Sequence, residues 1–419
     1  MNIGIRHHVI VLSEALAALV AVALIALGSA CSTKTDPVQI RFWHAFNDAE
    51  TEALNRALEA WKPDSPAAVV PLRETFARAR VMLTKSLSDD QNCPDLARID
   101  ASWLPGLAED GLLAAGPKRL LSSERWLPRA AALNSYQQTA YAAPQTVDGL
   151  ALIYRKSAMA DAGAPWPPTS MDELVSAGGR LAGDGTYGFS VLVDGYWFVP
   201  FLREWGDGLL DPISGQLNID TPRSARALNR FSSLFGTVMP PAGDSVDRLF
   251  RDGDLPVAIN GPWAVAGLTS GNTEGFAVAA LPGAPLGGQL LVVPRCAKEP
   301  GWAWKLAEYL TSPDVQGEWA QTLGVIPTTR AGLDRAGDFV QQFYRALTAA
   351  EPLPRSPITP NLFDDFTPAV KAVVAGDATA EETRSAAARQ WGDLLKSRGI
   401  KPRFYRAKAS TATPPGSPQ

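Results

Sequence analysis

The residues of this chain best able to do chemistry are one histidine, His44, and five carboxylates that stand at or just past apolar runs: Asp48, Glu50, Glu74, Asp100 and Asp148. The other two of its three histidines, His7 and His8, lie in an N-terminal stretch unlike the rest of the chain. With His44 alone, a His-rich zinc site is excluded and no metal is expected. A Ser–His–Asp triad would have to use the same residue, and no G-x-S-x-G elbow, P-loop or G-x-G-x-x-G fingerprint occurs. Two carboxylates flanking a bond are what a glycosidase needs. The same carboxylates serve equally well to hold a sugar, because each oxygen accepts from a hydroxyl. Twelve tryptophans add the second half of such a site. Trp61, Trp302, Trp304, Trp319 and Trp391 sit inside helical patterns and read as packing. Trp43, Trp103, Trp197 and Trp263 follow strand ends or open helices beside turns, where an aromatic face can stack on the apolar face of a sugar ring.

These residues are held by alternating strands and helices. Val38–Trp43 has the period of a strand, with Val38, Ile40 and Phe42 on one face, and His44 follows it. Asn47-x-x-Glu50 is a capping box for a helix carrying Leu54, Leu58 and Trp61, which Lys62-Pro63 stops. Val69–Leu72, Phe76–Leu87 and Asp95–Ile99 read as strand, helix and strand. A mainly parallel sheet follows, with ligands at the strand carboxyl ends, so Trp43-His44, Arg73-Glu74 and Asp100 reach one rim. Tyr141–Lys156, with Pro144 and Asp148-Gly149 inside it, reads as a strand leaving one body, a bend and a strand entering a second. Ser170 with Glu173, Thr221-Pro222, and Ser312-Pro313 with Gly324 mark later helices, and Gly178-Gly179 weaken the first of them.

Length and composition agree with two such bodies. The chain has 419 residues, 46% of them hydrophobic and 20% charged, with a net charge of −4, where roughly 150 residues per domain is usual. No basic block exists to neutralise phosphates, so nucleic acid is set aside as a partner. Arg6, His7 and His8 precede the apolar run Ala15–Leu27, which is too short to span a bilayer as a mature helix, so residues 1–30 read as a signal peptide. Ala30-Cys31-Ser32 resembles the lipobox of bacterial lipoproteins, although Gly28 stands where an aliphatic residue is usual and Glu14 borders the apolar run. Lipidation of Cys31 is expected, with residues 31–37 as tether, and a disordered tail over 406–419.

Several segments, in order, resemble the extracellular solute-binding proteins of sugar-type ABC importers, the maltose-binding-like family. Ala143-Pro144, Asp148-Gly149 and Leu152-Ile153-Tyr154-Arg155-Lys156 are similar to its first crossing between lobes. CPDLARIDASWLPGLAEDGLL resembles a longer family segment, Pro167–Leu174 its P-x-T-W/M-D-E-L helix opening, and Leu249–Trp263 its F-x-x-G, strand, G-P-W turn. Gly287-Gly288 before Gln289–Pro294 resembles the return strand, and Ile326–Arg330 the closing motif. Actinobacterial sugar-binding lipoproteins, including trehalose-type ones, are the most similar members.

The resemblance implies an α/β, two-lobed periplasmic-binding-protein fold, with lobe one in residues 38–143 and 288–340 and lobe two in 144–287 and 341–405. It implies a monomer without catalytic residues or cofactor that closes on a disaccharide or short oligosaccharide of trehalose or maltose type. The partners implied are the permease subunits of an ABC importer, reached from a lipid anchor on the outer face of the cell membrane. Ligand contacts are expected from Trp43, His44, Asn47, Asp48, Glu74, Asp100, Trp103, Asp148, Trp197, Asn260, Trp263 and Gly288. In the resembling fold the strands bearing Cys93 and Cys296 run side by side in opposite directions, which implies a disulfide in an oxidising compartment. A glycerophosphodiester is the runner-up ligand, because Phe42-Trp43-His44 also resembles that subgroup. The same residues leave room for an amino sugar as ligand and for a secreted two-carboxylate glycosidase.

Overall fold

Alternation in the first strand carries one residue further than Phe42. β1 (Val38–His44) buries Ile40, Phe42 and His44 on one face. The helix Asp48–Ala60 follows, opened by a reciprocal box in which the Asn47 and Glu50 side chains each accept the other's backbone N–H at 2.9 Å. This computed structural model describes residues 37–89, 91–121, 124–161, 166–183 and 185–405. The leader, Cys31 with its tether through Asp36, and the tail from residue 406 lie outside those described. Among the described residues, Pro37 and Val38 with Pro63–Ala68 form one small unit, and Gln39–Lys62 with the chain from Val69 onward forms a large one. The large unit contains the cleft.

β2 (Ala67–Arg73) and β3 (Leu96–Asp100) join β1 in the first sheet; β4 (Ser135–Tyr136) and β5 (Thr139–Ala140) make a separate hairpin. β6 (Ala142–Gly149) returns to the first sheet, whereas β7 (Ala151–Arg155) starts the second. β8 (Phe189–Ser190), β9 (Val257–Asn260) and β10 (Phe276–Ala279) complete that second sheet, in the order β10-β7-β9-β8. β11 (Pro285–Val292) and β12 (Glu351–Pro352) then close the first sheet, whose order is β12-β11-β3-β1-β2 with β6 also on β11. β3 runs parallel to β1, and β11 runs antiparallel to both β3 and β6. The carboxyl ends of β1, β3 and β6 therefore share one edge, which is where Asp100 and Asp148 stand.

The strand pairing moves each crossing from its expected place. The first falls at Leu150 rather than at Pro144, because β6 stays paired with β11 as far as Gly149. Gly149 has φ +154° and no room for a Cβ against the Pro285 carbonyl, so glycine alone suits this bend. The second crossing lies between β10 and β11, ahead of Gly287-Gly288, and the third follows β12. Beyond it, the helices Phe366–Ala375 and Ala380–Ser397 pack with Gly195–Trp205 and Pro222–Ser233 beside the second sheet. Phe198, Phe201, Phe231, Phe366 and Trp391 form an aromatic chain through that core, with neighbouring ring centroids 4.8–6.0 Å apart.

Cys93, just before β3, and Cys296, just after β11, are joined by a disulfide with Cα atoms 6.0 Å apart. The antiparallel β3–β11 pair brings them to one end of the first sheet.

Candidate functional site

Sheet register builds the polar wall of the cleft. On β11, Gln289 lies opposite Asp100 and Gly287 lies opposite Asp148, so the two carboxyls flank a single strand. Asp100 accepts from the backbone N–H of Ser102 at 2.8 Å and from Gln289 Nε2 at 3.3 Å. A Cβ on residue 287 would collide with Asp148 Oδ1 and come near the Tyr196 hydroxyl. Glycine there lets the carboxyl and the phenol approach β11. Arg98, two residues before Asp100 and on the same strand face, is buried; its Nε donates to Gln145 Oε1 at 2.7 Å and Nη2 to Glu50 Oε1 at 3.3 Å. Its guanidinium also lies 4.3 Å from the Phe46 ring centroid, a cation–π contact.

The other wall is aromatic and comes from the second sheet. β9 ends at Asn260, paired with Ala151 at the very start of β7, so the turn after β9 emerges beside the first crossing. Asn260 is buried, and its Oδ1 takes the Gly261 N–H at 2.9 Å. Gly261 leaves room for the Trp263 indole to fold back over it, and Trp263 remains 47% exposed. Asp194 caps the helix Gly195–Trp205 by accepting from Tyr196 N, presenting Tyr196 and Trp197 from its first turn. Trp197 meets Trp263 edge to face at 6.2 Å, and Tyr196 meets Phe363 at 5.6 Å. From the first lobe Trp103 and a 55% exposed Phe76, with centroids 5.8 Å apart, add a further aromatic face. The enclosed volume is about 800 Å³, within the range of small-ligand clefts. An adjoining depression of about 910 Å³, which shares Pro352, Leu353, Pro354 and Arg355 with the cleft, lies over the crossings, where Arg203 is committed to the carbonyls of Gly283, Ala284, Glu351 and Pro352.

Burial in this wall, then the neighbouring Asp100, pushes Asp148 up to about 8. Burial also raises Asp100, against the hydrogen bonds from Ser102 and Gln289. The same burial and the two carboxyls hold the Tyr196 phenol well above its ordinary value. At neutral pH Asp148 is thus mostly a carboxylic acid, able to donate as well as accept.

Of the expected ligand contacts, Asn47, Asp100, Trp103, Asp148, Trp197 and Trp263 line the cleft. The others do not. His44 is fully buried with Phe42 and Phe46, its Nδ1 accepting from Phe46 N at 3.3 Å and its Nε2 unpartnered. Burial, then Arg98 and Arg73, lowers it to about 4, so it is a neutral core residue. Trp43 is half-buried in the sheet. Asp48 points outward to Arg73 at 2.6 Å, and Glu74 folds onto Thr75 N and Arg78. Asn260 shapes the turn instead of reaching a ligand. Gly288 packs against the Thr146 carbonyl, and its neighbour Gly287 lines the cleft. Residues not anticipated as contacts are Arg98, Tyr196, Phe76, Gln289 and Arg80. No cluster of metal-ligating side chains occurs among the described residues, and no helix among them is long and apolar enough to cross a membrane.

Two α/β lobes joined by three crossings, with a polar wall facing an aromatic one, define a two-lobed solute-binding protein. The model of the bacterial extracellular solute-binding protein family matches residues 80–343, and the chain belongs to that family. Similar proteins include a maltotriose-binding protein of Pyrococcus abyssi, 24% identical over 286 residues, covering 63% of this chain and 62% of that protein. A probable ABC transporter-binding protein of Deinococcus radiodurans is 28% identical over 266 residues, covering 56% of this chain. The match spans 62% of the length of each of these curated relatives. Among solved structures, the GacH receptor of Streptomyces glaucescens GLA.O, determined unliganded and with acarbose, superposes with a TM-score of 0.76 at 25% identity. That superposition covers 86% of this chain and 99% of the receptor.

Proposed function

We propose that this protein captures a carbohydrate, a disaccharide or short oligosaccharide of maltose or trehalose type, and delivers it to the permease of an ABC importer. The observation that carries the reading is the cleft itself, where Asp100, Asp148 and Gln289 face Tyr196, Trp197 and Trp263. Sugar rings need this pairing, with carboxyl and amide groups for the hydroxyls and indole faces for the C–H surface. The names of the relatives support the same ligand class. Release from a signal peptide and lipidation at Cys31 belong to the proposal, and Cys31→Ser is expected to move the protein from the membrane fraction to the soluble one.

A phosphate-bearing ligand is disfavoured. Arg98 is engaged by Gln145 and Glu50 and Arg80 by Asp364, while the Asp100 carboxyl stands in the cleft without an ion pair to meet the phosphate. Two like charges 4 Å apart cost about 4 kcal/mol at an effective dielectric of 20. The Phe42-Trp43-His44 segment that suggested a glycerophosphodiester also lies outside the cleft lining. A thermal-shift screen against sugars, amino sugars and glycerophosphodiesters tests the reading, since a ligand that binds only the native state raises its melting point. Stabilisation by carbohydrates alone is expected; stabilisation by glycerophosphodiesters alone would overturn it.

A further inference from the structure

Among the described residues the carboxyl pair at the edge of the first sheet forms no ion pair, and the cation that acts on both is Arg98, on the same strand as Asp100. Asp100 and Asp148 share Gln289 as a hydrogen-bond donor, and among the described residues neither forms an ion pair. Among the described residues, the charged or titratable groups that act on Asp148 are Asp100 and Arg98 from β3 and Glu50 from the helix Asp48–Ala60, with Tyr196 coupled to it from the helix Gly195–Trp205. Arg98 is the sole cation of the four, and Gln145, Glu50 and the Phe46 ring occupy it. Of the other cations lining the cleft, Arg80 is paired with Asp364 at 2.5 Å, while Arg355 donates Nη1 to the Ala132 carbonyl at 3.0 Å and keeps a buried Nη2 without a hydrogen-bond partner. A buried carboxylate without a partner is costly, and a proton held on Asp148 avoids that cost.

We propose that the carbohydrate this cleft takes bears a protonated amine, which docks between Asp100 and Asp148 under the Trp197–Trp263 face. The inference rests on the carbohydrate reading above, keeps its disaccharide or short oligosaccharide size, and puts an amino sugar in place of a neutral one. An ammonium group has three donors and no acceptor, the complement of two carboxylates. Hydrogen bonds between two charged partners are about twice as strong as neutral ones. On binding, the amine keeps its three protons, the O–H bond of Asp148 breaks, and that proton passes to the solvent buffer. The carboxylate so formed pairs with the ammonium, so charge in the cleft balances. A neutral sugar finds Asp148 already able to donate and accept, and it releases no proton.

Calorimetry on the intact protein at about pH 6.5, in phosphate and in imidazole buffers of different ionisation enthalpy, separates the two cases. The probes are chitobiose, which carries amines, its N,N′-diacetylated form, and maltotriose. Chitobiose is expected to bind about tenfold or more tightly than the diacetylated form, with release of close to one proton seen as a buffer-dependent enthalpy. Asp148→Asn should abolish the proton release and most of the preference. Because the proton count is read on the wild-type protein, the test does not depend on that variant folding. Binding of maltotriose or the diacetylated sugar as tightly as chitobiose, with no buffer dependence, would overturn the amine inference and leave the carbohydrate reading standing. Failure of all three to bind would remove both.

Discussion

The two walls of the cleft are built by different means. On the first lobe Asp100, Asp148 and Gln289 ride on strands of one sheet, so their spacing is set by backbone register and stapled at one end by Cys93–Cys296. On the second lobe Tyr196, Trp197 and Trp263 sit in the first turns of helices, aimed by the Asp194 cap and the Asn260-Gly261 turn, with no covalent tie. Polar recognition needs donors and acceptors placed to fractions of an ångström, which register provides. Stacking tolerates more movement, and a capped helix end suffices for it.

The largest expected difference between the walls comes from the staple. The bridge closes a loop across a sequence separation of 203 residues, and its loss as Cys93→Ser with Cys296→Ser should cost roughly 2–5 kcal/mol. Hydrogen exchange should then show β3 and β11 losing protection while β7 and β9 keep theirs. Equal loss in both sheets would mean that the lobes unfold as one.

Next is Gly287→Ala, whose Cβ would collide with Asp148 Oδ1. Displacing the carboxyl while Trp197 and Trp263 stay in place should weaken ligand binding about a hundredfold, or about 2.7 kcal/mol. Unchanged affinity would show that the aromatic wall alone suffices.

A smaller effect is set by pH. The folded protein holds the Asp148 proton to about 8, against 3.8 for a free carboxyl. The native state therefore binds more protons than the unfolded chain between these values, and stability of the empty protein falls as pH rises through them. Asp148→Asn should flatten that fall and raise the melting point near pH 8.5 by about 2 °C or more. An unchanged profile would place the titration elsewhere.

The smallest effect is expected from Arg80→Ala, which removes the 2.5 Å ion pair joining the helix Phe76–Leu87 of the first lobe to Asp364 of the second. Asp364 is well exposed, and such pairs are worth about 0–1 kcal/mol. A change in ligand affinity of less than about fivefold, shrinking at high salt, is the expected result by titration.

The fold was largely legible in the sequence, because period-2 runs, caps and Pro-Gly breaks are local signals. Asp100, Trp103, Trp197 and Trp263 were expected in the cleft from strand ends and helix starts, and Asp148 from the bend at Asp148-Gly149, and all five line it. His44 was misplaced although the signal was present, since the alternation that buries Ile40 and Phe42 also buries His44. The same rule puts Arg98 on the face of Asp100, so that buried cation could have been read from Leu96–Asp100. Gln289 could not be found this way. Its place beside Asp100 depends on the β3–β11 register, which joins residues 189 positions apart. The crossings shifted for a related reason, since pairing with β11 carries the first sheet past Pro144, where local turn chemistry suggested a boundary.

Both walls are proposed to hold one sugar, and the decisive experiment is titration calorimetry of wild type, Asp100→Ala and Trp263→Ala with the best carbohydrate from the thermal screen. Each variant is expected to weaken binding about tenfold or more, about 1.4 kcal/mol, with thermal midpoints near that of the wild type. Tight binding of a phosphorylated ligand, with neutral and amino sugars inert and both variants unaffected, would contradict it.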